Sequence, residues 1–384
     1  MRRTSYFPYF LLIILTIIFL NFPQAFTNRV RSSCISYVHP TYQWAGFFRS
    51  YLLRAPTLSG YTNETKNDKD LDLQVENQNL RSQLNAVYEW LLFDGRIEEQ
   101  TERLHALNRK NAIGGEIYWR EFFQRRSEEL KDLIEMKIQA IPAKVIYREP
   151  VSWSSSLWID VGENDNEALG RQIVSEDSPV VVGNSLVGVI EFVGQKKSRV
   201  RLITDSGLIP SVRAIRGKTQ DRELAELLDA TLMRLKARGA ANLSDGLEYL
   251  EHLRAQLMIS NEDLRLAKGE LHGSSEPIWR VRSQVLKGVG FNYDYADLEG
   301  PARDLKTGNP IDKRANGMPI LKKGDLLITT GMDGVFPPGL NVAIVTKIKD
   351  LLDGAYAYEL EATPTAPNIH ELTSVFVIPK VGAL

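Results

Sequence analysis

The stretch Leu71-Asp72-Leu73-Gln74-Val75-Glu76-Asn77-Gln78-Asn79-Leu80-Arg81-Ser82-Gln83-Leu84-Asn85-Ala86-Val87-Tyr88-Glu89-Trp90-Leu91 decides how the rest of the chain is read. Within it Leu73, Asn77, Leu80, Leu84, Val87 and Leu91 recur at alternating steps of four and three. That is a heptad seam, one stripe of a helix that lies against a second helix. Asn77 falls on the seam, where a buried Asn fixes register and oligomer state at some cost in stability. The competing reading is a helix packed on its own β-domain. Asp94-Gly95 ends the clean seam and Gly114-Gly115 interrupts a second helical stretch before about residue 141. Each Gly costs a helix interior about 1 kcal/mol relative to Ala, so bends are expected there.

Outward toward the N-terminus, residues 59–70 are a polar linker. Before it Trp44, Phe47, Phe48 and Tyr51 share one face of a short helix, with Arg49 and Arg54 nearby. That face either rests at a membrane interface or packs on the following helix. Phe7 to Phe26 is 20 residues with an almost purely apolar centre, about 30 Å as a helix and enough to span a bilayer. A cleaved signal peptide is the alternative, but no bond near Pro23–Arg29 has the small residues that cleavage needs. Arg2-Arg3 ahead of this anchor keeps the N-terminus cytoplasmic and sends the remainder across the cytoplasmic membrane.

Outward toward the C-terminus the period changes after Pro142. Runs at Ala143–Tyr147, Leu157–Val161, Val180–Val182, Leu186–Val193, Arg199–Thr204 and Ser211–Ile215 are short, β-branched and bounded by turn residues. Such spacing predicts a small barrel or sandwich. Lys218–Gly273 reverts to a helical pattern, with one stripe at Leu224, Leu227, Leu228, Leu232 and Leu235 and another at Leu247, Leu250, Leu253 and Leu257. This predicts a helical hairpin. Strand character returns at Asp325–Thr330, Val342–Ile348, Tyr356–Ala362 and Ser374–Ile378, and Asp294–Met318 reads as a long loop. The expected organisation is a cytoplasmic start (1–6), a single transmembrane anchor (7–26), a juxtamembrane segment and linker (27–70), a coiled-coil spacer (71–141), a first mainly-β domain (142–217), a helical insertion (218–273) and a second mainly-β domain (274–384).

Composition narrows the function classes. A formal net charge of −1 gives no basic field for nucleic acid. One cysteine, Cys34, excludes an internal disulfide and a cysteine-cluster metal site. Gly217-Lys218-Thr219 lacks the upstream Gly of a phosphate loop, since Val212 stands there. Gly183-Asn184-Ser185-Leu186-Val187 lacks the final Gly of a nucleophile elbow. His370-Glu371 lacks the second His of a zinc helix. No catalytic, cofactor or metal residues are therefore assigned.

Two stretches carry a resemblance. One is Glu76–Leu84 behind an N-terminal anchor. The other is Gly324-Asp325-Leu326-Leu327-Ile328-Thr329-Thr330-Gly331, continuing through Gly334-Val335-Phe336-Pro337-Pro338-Gly339-Leu340 into Val342–Val345. Between them lie Leu186-Val187-Gly188-Val189-Ile190 and Ser198–Asp205. Together they resemble the MreC family of bacterial rod-shape-determining proteins. The matching signature residues are Gly188, Asp205, Gly324, Asp325, Gly331, Gly334, Phe336, Pro337, Gly339 and Val345, expected to build the fold. Ala343 stands where the family usually has Gly, Thr330 where Ser is common, and the insertion 218–273 and loop 294–318 are larger departures.

What the resemblance implies is a non-enzymatic scaffold of cell elongation: an anchor, a dimerising coiled coil and two small β-barrels outside the cytoplasmic membrane. Such proteins regulate peptidoglycan synthesis by binding the elongation-specific penicillin-binding transpeptidase, and they act with MreD, MreB and RodA. Homodimerisation would run through the heptad seam, with higher self-assembly as an extension. Two rivals stand beside this: a periplasmic adaptor subunit of an export system and, behind it, a membrane-anchored envelope hydrolase. In an adaptor, strands precede the helical hairpin, whereas here no strand-like run lies between anchor and first helix.

Overall fold

Among the described residues, twelve strands pair into two six-stranded barrels linked by one strand pairing. The structure is a computed structural model and describes residues 128–129, 131–237, 244–257, 263–274, 284–294, 302–311, 317–366 and 368–382. The expected anchor, the Trp44–Tyr51 face and the heptad seam lie outside the described residues.

The first barrel contains β1 (Ile141–Tyr147), β2 (Ser156–Ile159), β3 (Pro179–Val182), β4 (Ser185–Val193), β5 (Ser198–Leu202) and β12 (Ser374–Val377). Its order is β4-β3-β12-β1-β2-β5, closed by a β4–β5 pairing. The second contains β6 (Ser211–Arg216), β7 (Leu264–His272), β8 (Leu286–Asn292), β9 (Leu326–Thr329), β10 (Asn341–Ile348) and β11 (Tyr358–Pro364). Its order is β11-β8-β7-β6-β9-β10, closed by β10–β11. Closure removes the unpaired strand edges that an open sheet would present.

Side-chain alternation explains why these runs close on themselves. In β5, Ser198, Val200 and Leu202 are buried while Arg199 and Arg201 between them are part exposed, the period-two pattern of a strand with one wet face. The alternation stops at the strand end, where Ile203 is also buried. All four residues of β2, β3 and β9 are buried. Trp158, Leu157, Ile190, Leu202, Phe291 and Phe336 are among the largest fully covered side chains, each such apolar side chain contributing about 1.5–3 kcal/mol. One contiguous apolar cluster runs through both barrels, so they share a core.

The division of the chain differs from the expected one in three places. The run at 211–215, grouped by sequence with the first β-domain, pairs with β7 and β9 of the second barrel. Leu264–His272, expected inside the helical insertion, is a strand between β6 and β8. Its Leu, Ala, Lys and Glu are good helix formers, but pairing on both sides overrides that weak preference. The last strand, expected in the second β-domain, returns to the first barrel, where β12 lies between β1 and β3. Such non-local pairing leaves no mark in local sequence.

Helix α1 (residues 131–138) precedes β1, and the short α2 (Glu163–Leu169) follows β2. The helical hairpin is α3 (Lys218–Ala237) and α4 (Ser244–Leu257), emerging between β6 and β7. Ala225 and Leu232 of α3 are buried, whereas Leu224 and Leu227, read as part of the same stripe, are exposed. Arg254–Asp229 and Lys236–Glu251, both 2.6 Å, join the two helices. These pairs are exposed and contribute little individually.

Candidate functional site

Half of the signature residues gather at the joint between the barrels. The β3–β4 turn is built on Gly183, at φ 62°, and Asn184. A left-handed Gly is what a two-residue hairpin turn needs. This turn brings Asn184 against the start of β10. The Asn341 N–H donates to the Asn184 carbonyl at 2.9 Å, and Asn184 Nδ2 donates to Asn341 Oδ1 at 3.1 Å. Ser185 and Asn341 form the parallel register pair that joins the barrels.

Helix α1 completes the joint. Lys137, 2% exposed, donates from Nζ to Asn184 Oδ1 at 2.6 Å. Leu133, Ile134 and Met136 of the same helix are buried, and Leu133 packs over Gly339. One buried ammonium thus ties the helix to the turn of one barrel, and that turn's Asn ties it to the other. Burying an ammonium is costly without hydrogen-bond partners, so this position demands the amide oxygen it meets.

The expected signature residues in the loop between β9 and β10 build the other side of the joint. Gly331, Gly334 and Gly339 have φ of 78°, 70° and 96°, values that side-chain-bearing residues rarely adopt. Asp333 Oδ1 accepts from the Val335 and Phe336 N–H groups, each at 3.0 Å, and its Oδ2 accepts from Ser211 N–H at 3.0 Å. Thr329 Oγ1 donates to the Pro337 carbonyl at 2.5 Å and accepts from Leu340 N–H at 3.0 Å. Phe336 is sealed beneath this loop at 1% exposure.

The remaining signature residues sit elsewhere. Gly188 lies in β4, where a Cβ would stand 2.0 Å from the Arg201 carbonyl oxygen. Asp205 Oδ1 accepts from Gly207 N–H at 2.7 Å in the turn after β5. Gly324, Asp325 and Val345 lie at the far rim of the second barrel. Asp325, with 2% of its side chain exposed, accepts from Arg216 Nε at 2.8 Å and Nη2 at 2.7 Å, and from Lys322 N–H at 2.7 Å. Val345 N–H donates to the Asp325 carbonyl at 2.9 Å. The hairpin is pinned at this rim, where Thr219 donates from both N–H and Oγ1 to Asp263 (2.8 and 2.6 Å) and Gln220 Nε2 donates to the Gly324 carbonyl at 2.6 Å.

Sequence reasoning missed several residues at and near the joint. A Cβ on Gly273 would stand 2.1 Å from the Thr204 carbonyl carbon and oxygen, so the backbones of the two barrels touch there. Arg148, following β1, donates from Nη2 to the Ile369 carbonyl and stacks over Trp153 at 5.6 Å. Burial pushes the Arg148 guanidinium down to about 10. His370, beside it, is held below its ordinary value by burial and then by Arg148, partly offset by Glu371. Lys137 and Asn184 also escaped, because isolated polar residues read as surface. The Gly183-Asn184 pair between two strand runs was the one available signal for the turn.

Among the described residues, no group of three His, Cys, Asp or Glu side chains could hold a metal ion. What the residues do assemble is structural: a tandem of closed barrels locked together by a buried polar joint with a helix seated in it. The chain belongs to the MreC family: the barrel core of rod shape-determining protein MreC matches residues 145–256 and 295–379, just over half of the chain. No curated protein matches it. Solved structures similar to it include MreC from Pseudomonas aeruginosa, 19% identical over 62% of this chain and 98% of that one, with a TM-score of 0.36. MreC from Listeria monocytogenes is 18% identical over 74% of this chain and 94% of that one, at a TM-score of 0.38. MreC in a complex with penicillin-binding protein PBP2 from Helicobacter pylori is 12% identical over 62% of this chain and 98% of that one, at 0.31.

Proposed function

We propose that this chain is a non-enzymatic, membrane-anchored scaffold of the cell-elongation machinery that organises and regulates peptidoglycan synthesis. The observation that carries the reading is the family match across both barrels. The scaffold's mechanism is positional. Residues 7–26 hold it in the cytoplasmic membrane with its N-terminus inside, the heptad seam pairs two copies, and the barrels present their surfaces outside the membrane. Its partners are an elongation-specific penicillin-binding transpeptidase, MreD, MreB and RodA. A rigid joint supports this role, because a scaffold positions partners only as well as its own parts are held.

The test is crosslinking of the full-length chain in intact cells, followed by capture and mass spectrometry. Recovery of a peptidoglycan transpeptidase or MreD is expected. Recovery of an export pump or outer-membrane duct without either would overturn the proposal in favour of an adaptor.

A further inference from the structure

The connection from β11 back to β12, residues 365–373, carries a charged cluster that a positional scaffold does not require. Its first residue is tied to the second barrel, with Thr365 N–H donating to the Val342 carbonyl at 3.0 Å. Its last is tied to the first barrel, with the Thr373 carbonyl accepting from Val145 N–H at 2.8 Å. Gln284, leading into β8, adds a bond from Nε2 to Asn368 Oδ1 at 3.0 Å. Between these ties Ile369 is fully buried, and its carbonyl accepts from the buried Arg148.

The next residue is His370. Its ring is part exposed, yet both ring nitrogens are covered, and neither finds a hydrogen-bond partner among the described residues. Arg148 Nη1 is likewise covered and unpartnered. The charged groups acting on the imidazole are Arg148, from the end of β1, and Glu371 on its own turn. Glu149, next to Arg148 in the chain, accepts from Ser152 Oγ at 3.3 Å. The neighbours Asn368, Gln284 and Trp153 are neutral. A proton on His370 therefore places a second cation beside a buried guanidinium, with one exposed carboxylate to offset it.

We infer that Arg148 and His370 form an acid-sensitive latch: protonation of His370 loosens the 365–373 connection and with it the fixed geometry of the two barrels. The direction follows from linkage. Burial and Arg148 lower the folded-state value of His370 below its ordinary 6.5. The unfolded or opened state thus binds protons more readily, so the latch is closed above about pH 6.5 and opens as pH falls through it. This inference stands independently of the partners proposed above.

Hydrogen exchange of the full chain at about pH 7.5 and about pH 5.5, corrected for intrinsic exchange, tests it. Peptides covering 365–373 should lose protection at the lower pH, by at most about tenfold, the ceiling set by working about one pH unit below the ordinary histidine value. Peptides from Lys218–Ala237 serve as the reference. His370→Phe should abolish the pH dependence. Unchanged wild-type protection, or the same acid-induced loss in the variant, would overturn the latch. Should His370→Phe fail to fold, NMR of the wild-type histidine rings decides instead. A His370 resonance titrating at or above the ordinary histidine value overturns it, and one titrating below supports it.

Discussion

Asp325→Leu should be among the most damaging single substitutions in the second barrel. The carboxylate is almost fully covered, while Arg216 retains 18% side-chain exposure. Removing the carboxylate strands a guanidinium that made two short bonds to it, and leaves Lys322 N–H without its acceptor. Breaking a buried ion pair from one side costs about 3–5 kcal/mol. Arg216 keeps long contacts to the Pro319 carbonyl at 3.3 and 3.4 Å, which places the expectation toward the lower end, about 3 kcal/mol. Urea unfolding followed by circular dichroism reads this as a lowered midpoint. The companion variant carries Arg216→Met as well. It should recover most of the loss, because two apolar residues replace the pair, leaving about 1 kcal/mol for the Lys322 N–H. A single substitution costing under about 1 kcal/mol, or a double as damaging as the single, would refute the argument that the stranded charge dominates.

Three further perturbations address the joint and the helix. Gly273→Ala forces a methyl into the Thr204 backbone, 2.1 Å away, and should lower stability by about 1–3 kcal/mol, measured by thermal unfolding. Lys137→Met leaves Asn184 Oδ1 without its donor and should weaken α1 docking by about 1–3 kcal/mol, seen as faster hydrogen exchange in residues 131–138 while strand peptides of both barrels stay protected. Leu80→Glu together with Leu84→Glu should make the full-length chain monomeric, and an unchanged dimer in analytical ultracentrifugation would sink the heptad reading.

Most strands were legible because their β-branched runs end at turn residues, as at Val180–Val182 before Gly183-Asn184. The glycines of the β9–β10 loop were legible too, since a residue needing positive φ announces itself. What failed was partnership. Ser211–Arg216 and Ser374–Val377 look like any short strand, and nothing local says that one pairs with downstream strands while the other returns to the first barrel. Leu264–His272 failed differently, because its composition favours helix and only its neighbours make it a strand. The joint was half visible. Gly331, Gly334, Gly339 and Phe336 carried a resemblance, but Lys137 is an ordinary surface residue until the fold encloses it.

The late return of β12 governs the order in which the molecule can be made. Ile141 waits for Val377 and Val180 waits for the same strand, so the first barrel cannot close until the whole second barrel has been synthesised. Until then β1 and β3 expose backbone donors and acceptors to any passing strand, the hazard of an unfinished sheet. Closing a loop this long is also slow. The growing chain therefore has a window in which its second barrel can be complete and its first is open, and a chain terminated before Ser374 would remain in that aggregation-prone state.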